Sequence, residues 1–583
     1  MLTLLTRKNI EKAIRHLASD EHFTCDTETY GLGWLDKAFM TGFRHQDGTC
    51  YYSREGDKDY EFLIREIIIG TKDICTPVFA NPKFDLHRLE WLTGYRFERV
   101  HDVIALDHLI NPQELTHRLK AIGGRLFGAE EEAEKNAIDA WFIECNDKKK
   151  EFWKLPDEIL LPYFEQDLVL TNKVFWKLYP QLGNYPKLPE LYELEMQVVD
   201  VVTRMEKAGV LVDKKYLTKF RAVLEKDQAK LIKELRKGFS VSEDFNFNSS
   251  DQLGDLLYNQ LGCEVLYTTE KGAPSCNDEA LKHIQHPYIE SLRAFKLNET
   301  YLTKFVDPWL NFSKHDGKLH ACFNTMGAVS GRFTCEMPNM QQIMKDPKIT
   351  RGLMVTPGKV CGHSDLSQIE MVGAAWYTRD DQMLRSLKAG TDLHRDTAAN
   401  LFNIKPEDVT KHQRQIAKGM NFSVVYGCGK KRLASFLSNH TGVPVPLAEA
   451  EYARSMYHGK YPEIRMFSYS VMDTIKRRRD RIIKNYFGRR YFIPTGKEYV
   501  GVNRLVQGWA AYVTKYAMAR IGPKLNWKTN WMNCQVHDMI SWECDIKDQK
   551  DVQAMIEKDM TTWPEFDVPI KVDTSILRDT WEA

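Results

Sequence analysis

Length, composition and charge narrow the classes to which this chain can belong. It has 583 residues, of which 43% are hydrophobic and 28% charged, and its formal net charge is +1. Because single hydrophobic cores stop growing at about 250–300 residues, the length predicts several domains. A charge this close to zero excludes a globally basic surface, so any nucleic-acid site must be a local patch.

Cysteines and apolar runs narrow the classes further. The twelve cysteines form neither a C-x2-C pair nor a cluster with histidine, so the sequence predicts no zinc site and suits a reducing cytoplasm. No run of about 18 apolar residues occurs, which argues against a membrane span. The sequence also contains no internal repeat.

Residues 1–175 have the pattern of an α/β domain. Short apolar runs at Phe23–Cys25, Phe62–Ile69 and Pro77–Ala80 suggest strands, and helix-like stretches separate them. The stretch Tyr179–Pro189 contains prolines and predicts a connector to the next domain.

Helical patterns dominate the rest of the chain. They are predicted at Glu190–Gly209, Lys214–Lys237, about Glu290–Phe312, and across nearly all of Met383–Phe487. Strand-like runs return at Arg490–Pro494, Asn533–Val536 and Met539–Cys544. The order is therefore α/β, helical, mixed, helical and mixed.

The first group of acidic residues begins with Asp26-Thr-Glu28, which closes an apolar run. Side chains alternate along a strand, so Asp26 and Glu28 are expected on one face. Alone, such a tripeptide is typical of a solvated surface. It is followed by an N-x3-D motif ending at Asp85 and by a Y-x3-D motif from Tyr163 to Asp167. This ordered set resembles the DEDD-type 3′–5′ exonucleases of the Y subtype.

That resemblance implies a ribonuclease H-like fold and an active exonuclease. Asp26, Glu28, Asp85 and Asp167 are expected to hold two Mg²⁺ ions, with Mn²⁺ as a substitute, because hard cations prefer oxygen ligands. One ion would activate water and the other would stabilise the leaving 3′ oxygen. Tyr163 is expected to orient the attacking water.

A basic and aromatic stripe is predicted on one helix. Arg414, Lys418, Phe422 and Tyr426 are each four residues apart, and Gly427 follows them. A four-residue step advances about 40° around an α-helix, so the four side chains share one gently spiralling edge. Two cations and two aromatic rings suit a ligand with a polyphosphate tail and a planar head. By itself, the pattern is more often an amphipathic helix with an exposed basic edge.

A second pair of acidic motifs flanks the stripe. The run H-S-D-L-S-Q-I-E contains Asp365, the run Q-V-H-D ends at Asp538, and each follows an apolar run. Together with the stripe, they resemble the three signature motifs of family A DNA polymerases, the DNA polymerase I-like group. Two departures occur, since Leu366 stands where the family has Tyr and Met539 where it has Glu.

The resemblance implies two-metal nucleotidyl transfer. Asp365, Asp538 and the backbone carbonyl of Leu366 are expected to hold two Mg²⁺ ions. Arg414 and Lys418 would neutralise the β and γ phosphates. Lys418 is also placed to donate a proton to the leaving pyrophosphate.

The same resemblance implies how the sugar and base are read. Phe422 would stack on the incoming nucleotide and, as Phe rather than Tyr, would discriminate against dideoxynucleotides. Tyr426 would move beside Gly427 into the templating position. Glu370 would lie against the sugar 2′ position and accept a hydrogen bond from the Tyr426 phenol, which favours deoxynucleotides. The expected nucleotide-binding set also includes Gln368 and His394.

Four further residues are expected to contact DNA. They are Arg332, Asn503, Gln507 and His537, which the resemblance places at the minor groove or the primer terminus. There A·T and G·C pairs present similar acceptors, so mismatches can be sensed without reading sequence. Tyr499 stands where the family usually has Arg.

The implied fold class is an α/β plus α multi-domain protein. A ribonuclease H-like exonuclease domain at 1–183 would precede a right-hand polymerase domain at 184–583. Within the latter, the subdomains are expected as follows: palm at about 184–213, 319–383 and 490–583, thumb at about 214–318, and fingers at about 384–489.

The leading interpretation is a template-directed DNA polymerase that adds dNTPs to a primer and proofreads, as part of DNA replication. A stand-alone exonuclease, a single-subunit RNA polymerase and a non-catalytic scaffold are the alternatives. The expected partners are primer–template DNA and dNTPs, with no membrane. We expect a monomer in the cytoplasm of a bacterium or a phage-infected cell, and any processivity factor is left open. Chemistry-bearing residues begin at Asp26, so we expect no 5′ nuclease domain, as in compact phage-type relatives.

Overall fold

A computed structural model gives the fold of residues 2–128, 133–269, 272–441 and 445–582. A mixed sheet organises the N-terminal part, and its strands are β1 (Leu2–Leu4), β2 (His22–Thr29), β3 (Ala38–Arg44), β4 (Cys50–Arg54), β5 (Thr76–Phe79) and β6 (His101–Asp102). The strand order is β1-β4-β3-β2-β5-β6. Strand β2 pairs antiparallel with β3 and parallel with β5. The motif of Asp26 and Glu28 therefore lies in the interior of the sheet.

Seven helices accompany this sheet. They are α1 (Ile10–Leu17), α2 (Tyr60–Thr71), α3 (Pro82–Thr93), α4 (Val103–Ile110), α5 (Leu119–Phe127), α6 (Ala133–Glu144) and α7 (Asp157–Leu178). Helices α3 and α7 both contact β2, β3 and β5. This packing brings Asp85 of α3 and the Y-x3-D motif of α7 to the strand that carries Asp26.

One predicted strand in this region is wrong. The apolar run Phe62–Ile69 lies inside helix α2, where Leu63, Ile64, Ile67 and Ile68 are all buried. A short apolar run does not distinguish a buried strand from a buried helix, and here burial of the helix on a broad face produced a strand-like pattern.

The middle of the chain combines long helices with short strands. It comprises α8 (Leu188–Ala208), β7 (Val210–Val212), α9 (Lys214–Phe239), α10 (Ser250–Gly254), α11 (Asp278–Leu281), α12 (Ile289–Thr300), α13 (Asp307–Phe312), β8 (Lys318–Leu319), β9 (Cys322–Asn324), β10 (Thr334–Glu336), α14 (Pro347–Thr350) and β11 (Leu353–Met354). Helices α12 and α13 are joined by a π-helical stretch, Tyr301–Val306. Leu235, Phe239 and Phe295 belong to a separate apolar cluster in this part of the molecule.

A four-stranded antiparallel sheet organises the C-terminal half. Its strands are β12 (Lys359–Leu366), β15 (Asn530–Val536), β16 (Met539–Asp545) and β17 (Val572–Leu577), in the order β15-β16-β12-β17. The elements inserted between β12 and β15 are α15 (Ile369–Thr378), α16 (Asp381–Lys388), α17 (Leu393–Phe402), α18 (Lys411–Val425), α19 (Lys430–Thr441), α20 (Leu447–Lys460), α21 (Pro462–Arg477), β13 (Ile482–Lys484), β14 (Arg490–Phe492) and α22 (Val500–Ile521), and α23 (Gln549–Thr561) precedes β17. The predicted helical stretch and the strand-like runs after it are thus confirmed.

Buried polar contacts join the N-terminal part to the rest. Glu206 of α8 accepts hydrogen bonds from Lys83 Nζ at 2.6 Å and from the Phe323 N–H at 2.7 Å, and its second oxygen lies 2.7 Å from His87 Nε2. All three side chains of this Lys–His–Glu cluster are buried. Because a buried charge is costly without partners, this cluster constrains how α3 packs on α8.

None of the helices in the described ranges is both long enough and apolar enough to cross a membrane.

Candidate active sites

Strand pairing places Asp365 and Asp538 side by side. Asp365 is near the end of β12, directly opposite Met539 of β16. Asp538 lies in the turn before β16, and its carbonyl accepts a hydrogen bond from the Leu366 N–H at 3.2 Å. Burial, together with the charge of Asp538, raises the pKa of Asp365 to about 6. Burial also raises the pKa of Asp538.

The turn that carries Asp538 is closely fixed. His537 has a φ of 58°, in the left-handed region that non-glycine residues seldom adopt. The Gln535 side chain donates to the His537 carbonyl and accepts a hydrogen bond from Gln341 Nε2 at 2.8 Å. The strain of this turn is held by its surroundings, as is common where a backbone must present a functional group.

Asp573 is an acidic neighbour that sequence reasoning missed. It stands on β17 directly opposite Asp365, on the side away from Met539. Its charge acts on Asp365 in the same direction as that of Asp538, and it accepts a hydrogen bond from the Ser367 hydroxyl. It lies in no motif, so only strand register could have revealed it.

Helix α18 carries the predicted stripe along one edge. The Thr410 hydroxyl accepts from the Gln413 N–H at 3.2 Å, and the Gln413 side chain accepts from the Thr410 N–H at 3.0 Å, which makes a reciprocal cap. Arg414, Lys418, Phe422 and Tyr426 are half-buried, whereas the helix buries a different face that includes Ile416, Ala417, Met420 and Val424. The helix ends before Gly427, whose φ is 71°.

Lys418 of the stripe lies near the two acids Asp365 and Asp538. The positive charge of Lys418 acts on both Asp365 and Asp538, opposing the rise in pKa that burial causes in each. Arg414 Nε donates to Asp392 Oδ2 at 2.5 Å, and Asp392 also caps the start of α17. Lys418 therefore lies close enough to both acids to act on their charge, whereas Arg414 is held by Asp392.

Phe422 packs between two rings. Its centroid is 5.7 Å from that of His394 and 6.2 Å from that of Tyr426. His394 is 2% exposed, and its Nδ1 lies 2.8 Å from Asn421 Nδ2. The imidazole is thus buried against the Phe422 ring, and the expectation that His394 contacts the nucleotide stays a prediction.

The expected hydrogen bond between Glu370 and Tyr426 is not present. Glu370, in the first turn of α15, instead forms an ion pair with Arg332. Within the described part of the chain, the Tyr426 hydroxyl is buried without a hydrogen-bond partner, and so is Gln368 Oε1. A guanidinium forms a charge-assisted bond, which is stronger than one from a neutral phenol, and this accounts for the difference.

Helix α22 presents Asn503 and Gln507 on one half-exposed edge, one turn apart. The next residue, Gly508, allows a close approach, since a Cβ there would lie 1.9 Å from the Tyr491 hydroxyl. That hydroxyl lies 3.2 Å from the Ser330 carbonyl, to which it donates. The glycine thus helps α22 approach the segment that carries Arg332.

In the N-terminal part, three of the four predicted acids converge. Oxygen atoms of Asp26, Glu28 and Asp167 all lie within 4.8 Å of one another. Burial, followed by the charge of Asp167, raises the pKa of Glu28 to about 8. Burial and the charges of neighbouring carboxyl groups also raise the pKa of Asp26.

Asp85 lies next to this trio but is turned toward the strand. Its Oδ1 accepts from the Thr27 N–H at 3.0 Å and from the Thr27 hydroxyl at 2.7 Å. Burial raises the pKa of Asp85 to about 7, although both Thr27 bonds oppose that rise. Its charge also raises the pKa of Asp26, so it remains electrostatically part of the group.

Lys120 of α5 is a further residue that sequence reasoning missed. Its ammonium forms an ion pair with Asp167 and lies 4.8 Å from the centre of the Tyr163 ring. Burial and the charge of Asp167 raise the pKa of Tyr163, so the phenol is neutral and can donate a hydrogen bond. No motif contains Lys120, and only the packing of α5 on α7 reveals it.

Both acidic groups fit divalent cations. In each group, burial and the repulsion between neighbouring carboxylates raise the pKa of an acid, Asp26 in one and Asp365 in the other. A bound cation would relieve that repulsion. Their donor atoms are oxygens, which hard cations such as Mg²⁺ prefer.

Comparisons with known proteins agree with this geometry. The model of DNA polymerase family A matches residues 214–583. The thermostable DNA polymerase I of Thermus thermophilus is 31% identical over 437 residues, covering 71% of this chain and 51% of that protein. The DNA polymerase I of Aquifex aeolicus (strain VF5) is 27% identical over 600 residues, covering 98% of each. The chain thus spans about half the length of the Thermus relative and nearly all of the Aquifex one.

A solved structure shares the fold. The POL domain of Pol1 from M. smegmatis, in complex with DNA primer–template and dNTP, superposes with a TM-score of 0.86 at 20% identity, covering 100% of both chains. The predicted multi-domain polymerase fold is confirmed. From the extent of the family match and the identity to the Thermus relative, the chain belongs to DNA polymerase family A.

Proposed function

We propose that the protein is a template-directed DNA polymerase with 3′–5′ proofreading that acts in DNA replication. The observation that carries this proposal is the position of Lys418, on the α18 stripe, facing the adjacent acids Asp365 and Asp538. Family membership supports polymerisation. The convergence of Asp26, Glu28 and Asp167 supports the second activity.

The proposed division of the chain follows from these two sites. An exonuclease domain at 1–183 contains the first acidic group, and a polymerase domain at 184–583 contains the second. Within the latter, we propose that the palm is formed by about 184–213, 319–383 and 490–583, the thumb by about 214–318 and the fingers by about 384–489.

Primer extension requires the phosphates, the 3′-OH and the leaving group to be held together. Two divalent cations, Mg²⁺ in the first place, would supply activation of the 3′-OH and neutralisation of the pyrophosphate when bound. Asp365, Asp538 and the Leu366 carbonyl are the proposed ligands. Arg414 and Lys418 bind the β and γ phosphates, and Lys418 Nζ donates a proton to the leaving pyrophosphate oxygen.

Selection of the nucleotide rests on the aromatic half of the stripe and on Glu370. Phe422 stacks on the sugar and base of the incoming nucleotide. Glu370 fills the space beside the sugar 2′ position. Tyr426 rotates beside Gly427 when the fingers close, since the glycine backbone tolerates that change. Gln368 lies at the start of α15 beside this group, with a φ of 51°.

Four residues are proposed to contact the DNA. Asn503 and Gln507 of α22, His537 of the β15–β16 turn, and Arg332 bind the primer–template minor groove. Donors placed there sense pairing geometry without reading sequence. Since Arg332 is paired with Glu370 in this structure, one ion pair joins a proposed DNA contact to the residue proposed to select the sugar.

Proofreading uses the first acidic group. Asp26, Glu28, Asp85 and Asp167 are the proposed ligands of two cations. The neutral Tyr163 phenol donates a hydrogen bond to the attacking water and orients it. Lys120 neutralises part of the negative charge of the group and orients Asp167.

Primer extension with a defined template tests the proposed function. We expect incorporation of the complementary dNTP, dependence on added Mg²⁺ with Mn²⁺ as a substitute, and far weaker use of the matching rNTP. Degradation of a single-stranded 3′ end tests the editing activity in the same preparation. Template-independent addition, or equal use of rNTPs and dNTPs, would refute the proposal.

We also propose a monomer that works in the cytoplasm of a bacterium or of a phage-infected cell. The bacterial DNA polymerase I relatives support this setting.

A further inference from the structure

A cluster of two histidines and one aspartate lies outside both acidic groups. His16 is in the last turn of α1, His45 follows β3, and Asp47 is in the turn that leads to β4. One ligand atom from each residue can be chosen so that all three lie within 4.8 Å of one another. No role in polymerisation or editing uses these residues.

Both imidazoles direct a ring nitrogen at Asp47. His16 Nε2 lies 3.1 Å from Asp47 Oδ2, and His45 Nδ1 lies 3.1 Å from Asp47 Oδ1. Bonds of about 2.0–2.2 Å in tetrahedral geometry separate neighbouring donor atoms by about 3.3–3.5 Å. The two nitrogen–oxygen spacings are close to that value, although each is to a different oxygen of Asp47.

The other ring nitrogens are already held. His45 Nε2 lies 2.8 Å from Asp20 Oδ2, and His16 Nδ1 lies 2.8 Å from the Tyr51 hydroxyl. A histidine that binds a metal ordinarily has its second nitrogen fixed by such a partner, often a carboxylate. Two of the cluster's three residues therefore have the outer contacts typical of metal ligands.

Which ring nitrogen of His45 carries the proton decides how Nδ1 meets Asp47. If Nε2–H donates to Asp20, the Nδ1 atom is a lone-pair acceptor, and the Asp47 N–H donates to it at 3.3 Å. In the other tautomer, Nδ1–H donates to Asp47 Oδ1, and a metal ion bound at Nδ1 would replace that proton. The centroids of the two imidazole rings are 4.0 Å apart.

We propose that His16 Nε2, His45 Nδ1 and the Asp47 carboxylate bind one divalent transition-metal ion of the Zn²⁺ class. Imidazole ligands favour such ions, whereas the carboxylate groups of the two active sites favour Mg²⁺. Asp20 and Tyr51 position the two imidazoles. Three protein ligands leave the fourth position to water.

The cluster is accessible to an ion from solvent. The His45 side chain is 8% exposed, but those of His16 and Asp47 are 26% and 50% exposed. The ion would tie the end of α1 to the β3–β4 turn and so stabilise the N-terminal domain. Cysteine spacing could not reveal this site, because its proposed ligands are two histidines and an aspartate that come from different elements.

Cobalt binding to the full-length, metal-stripped protein tests the proposal. Co²⁺ in a tetrahedral site with histidine ligands absorbs visible light strongly, whereas Co²⁺ in octahedral all-oxygen sites absorbs weakly. We expect one strongly absorbing Co²⁺ per chain, displaced by Zn²⁺. His16→Ala and Asp47→Asn should each abolish the band, while Asp20→Asn should weaken binding by about 10–100-fold.

Two controls separate this site from the rest of the molecule. His315→Ala removes an exposed histidine from another region and should leave the band unchanged. Asp26→Ala with Glu28→Ala should also leave it unchanged, because those acids belong to a different group. Circular dichroism establishes that each variant is folded, and His16 is a surface residue whose removal spares the core. Absence of the band in the unaltered protein, or its persistence in folded His16→Ala, would overturn the proposal.

Discussion

Arg332 and Glu370 form an ion pair close enough to Asp538 for the charge of that acid to act on both residues. Arg332 comes from the segment before β10, whereas Glu370 begins α15, so the pair joins two separate parts of the site. In the proposed function, one residue contacts DNA and the other selects the sugar. Movement of Arg332 to a primer–template would release Glu370 for another donor, and the Tyr426 hydroxyl is buried without a hydrogen-bond partner among the described residues.

Glu370→Ala should relax sugar selection. Removing the side chain opens space beside the 2′ position, so we expect the dNTP-over-rNTP ratio of kcat/KM to fall by at least about tenfold, equivalent to about 1.4 kcal/mol. Single-nucleotide incorporation kinetics measure this ratio. Glu407→Ala, an exposed acid of the same helical region, serves as the matched control. An unchanged ratio in Glu370→Ala would remove this residue from sugar selection.

Phe422→Tyr should increase the use of dideoxynucleotides. In the proposed contact, the added hydroxyl would replace the one that the missing 3′-OH makes, so the ddNTP-over-dNTP ratio should rise by about tenfold or more. Competition between the two nucleotides in primer extension gives the ratio directly. Phe312→Tyr, an exposed position in α13, should have no effect. A ratio that stays constant in Phe422→Tyr would contradict the proposed contact with the sugar.

Asp573→Asn should weaken the response to divalent cations. Its carboxylate lies opposite Asp365 on the neighbouring strand and adds negative charge to a site in which Met539 stands where the family has an acidic residue. We expect the Mg²⁺ concentration for half-maximal extension to rise several-fold, with little change at saturating Mg²⁺. Asp579→Asn removes an exposed acid beyond the end of the same strand and controls for general charge effects. Identical Mg²⁺ curves for Asp573→Asn and the unaltered protein would exclude this role.

Glu206→Gln should destabilise the fold and change its response to acid. Removing the charge leaves Lys83 buried without its partner, and such losses cost about 3–5 kcal/mol. Although burial favours the protonated form, Lys83 and His87 hold the pKa of Glu206 below its ordinary 4.5. A lowered folded-state pKa contributes stability that is complete above pH 4.5 and is lost as the pH falls below it.

Urea unfolding at several pH values measures both effects. The unaltered protein should lose more stability between pH 5 and pH 3 than Glu206→Gln does. Glu193→Gln changes an exposed acid of the same helix and should follow the unaltered protein. Parallel pH profiles for Glu206→Gln and the unaltered protein would contradict the assignment.

Local patterns in the sequence predicted much of the backbone. The alternation at Asp26 and Glu28, the four-residue spacing of the α18 stripe, and the strand before Asp365 all correspond to observed elements. Such features depend on residues close together in the chain. The strand predicted at Phe62–Ile69 is wrong, because a helix with a broad buried face has few of the polar residues that mark the helical period.

Contacts between distant elements could not be predicted in this way. Helix packing brings Lys120 to Asp167, and strand register brings Asp573 opposite Asp365. Arg332, from the segment before β10, forms an ion pair with Glu370 at the start of α15. His394 of α17 likewise lies buried against Phe422 of α18, a contact between two helices. Tertiary packing brings all four pairs together, and in Lys120–Asp167 and Arg332–Glu370 the pairing also offsets the cost of burying a charge.

The central claim is that one chain contains two independent sites, one for polymerisation and one for editing. Its most direct test is to measure primer extension and 3′-end degradation together, on the same labelled primer, in Asp365→Ala and in Asp26→Ala with Glu28→Ala. We predict that Asp365→Ala abolishes extension and retains degradation, and that the double variant does the reverse. Loss of both activities in either folded variant, or undiminished degradation in the double variant, would contradict the claim.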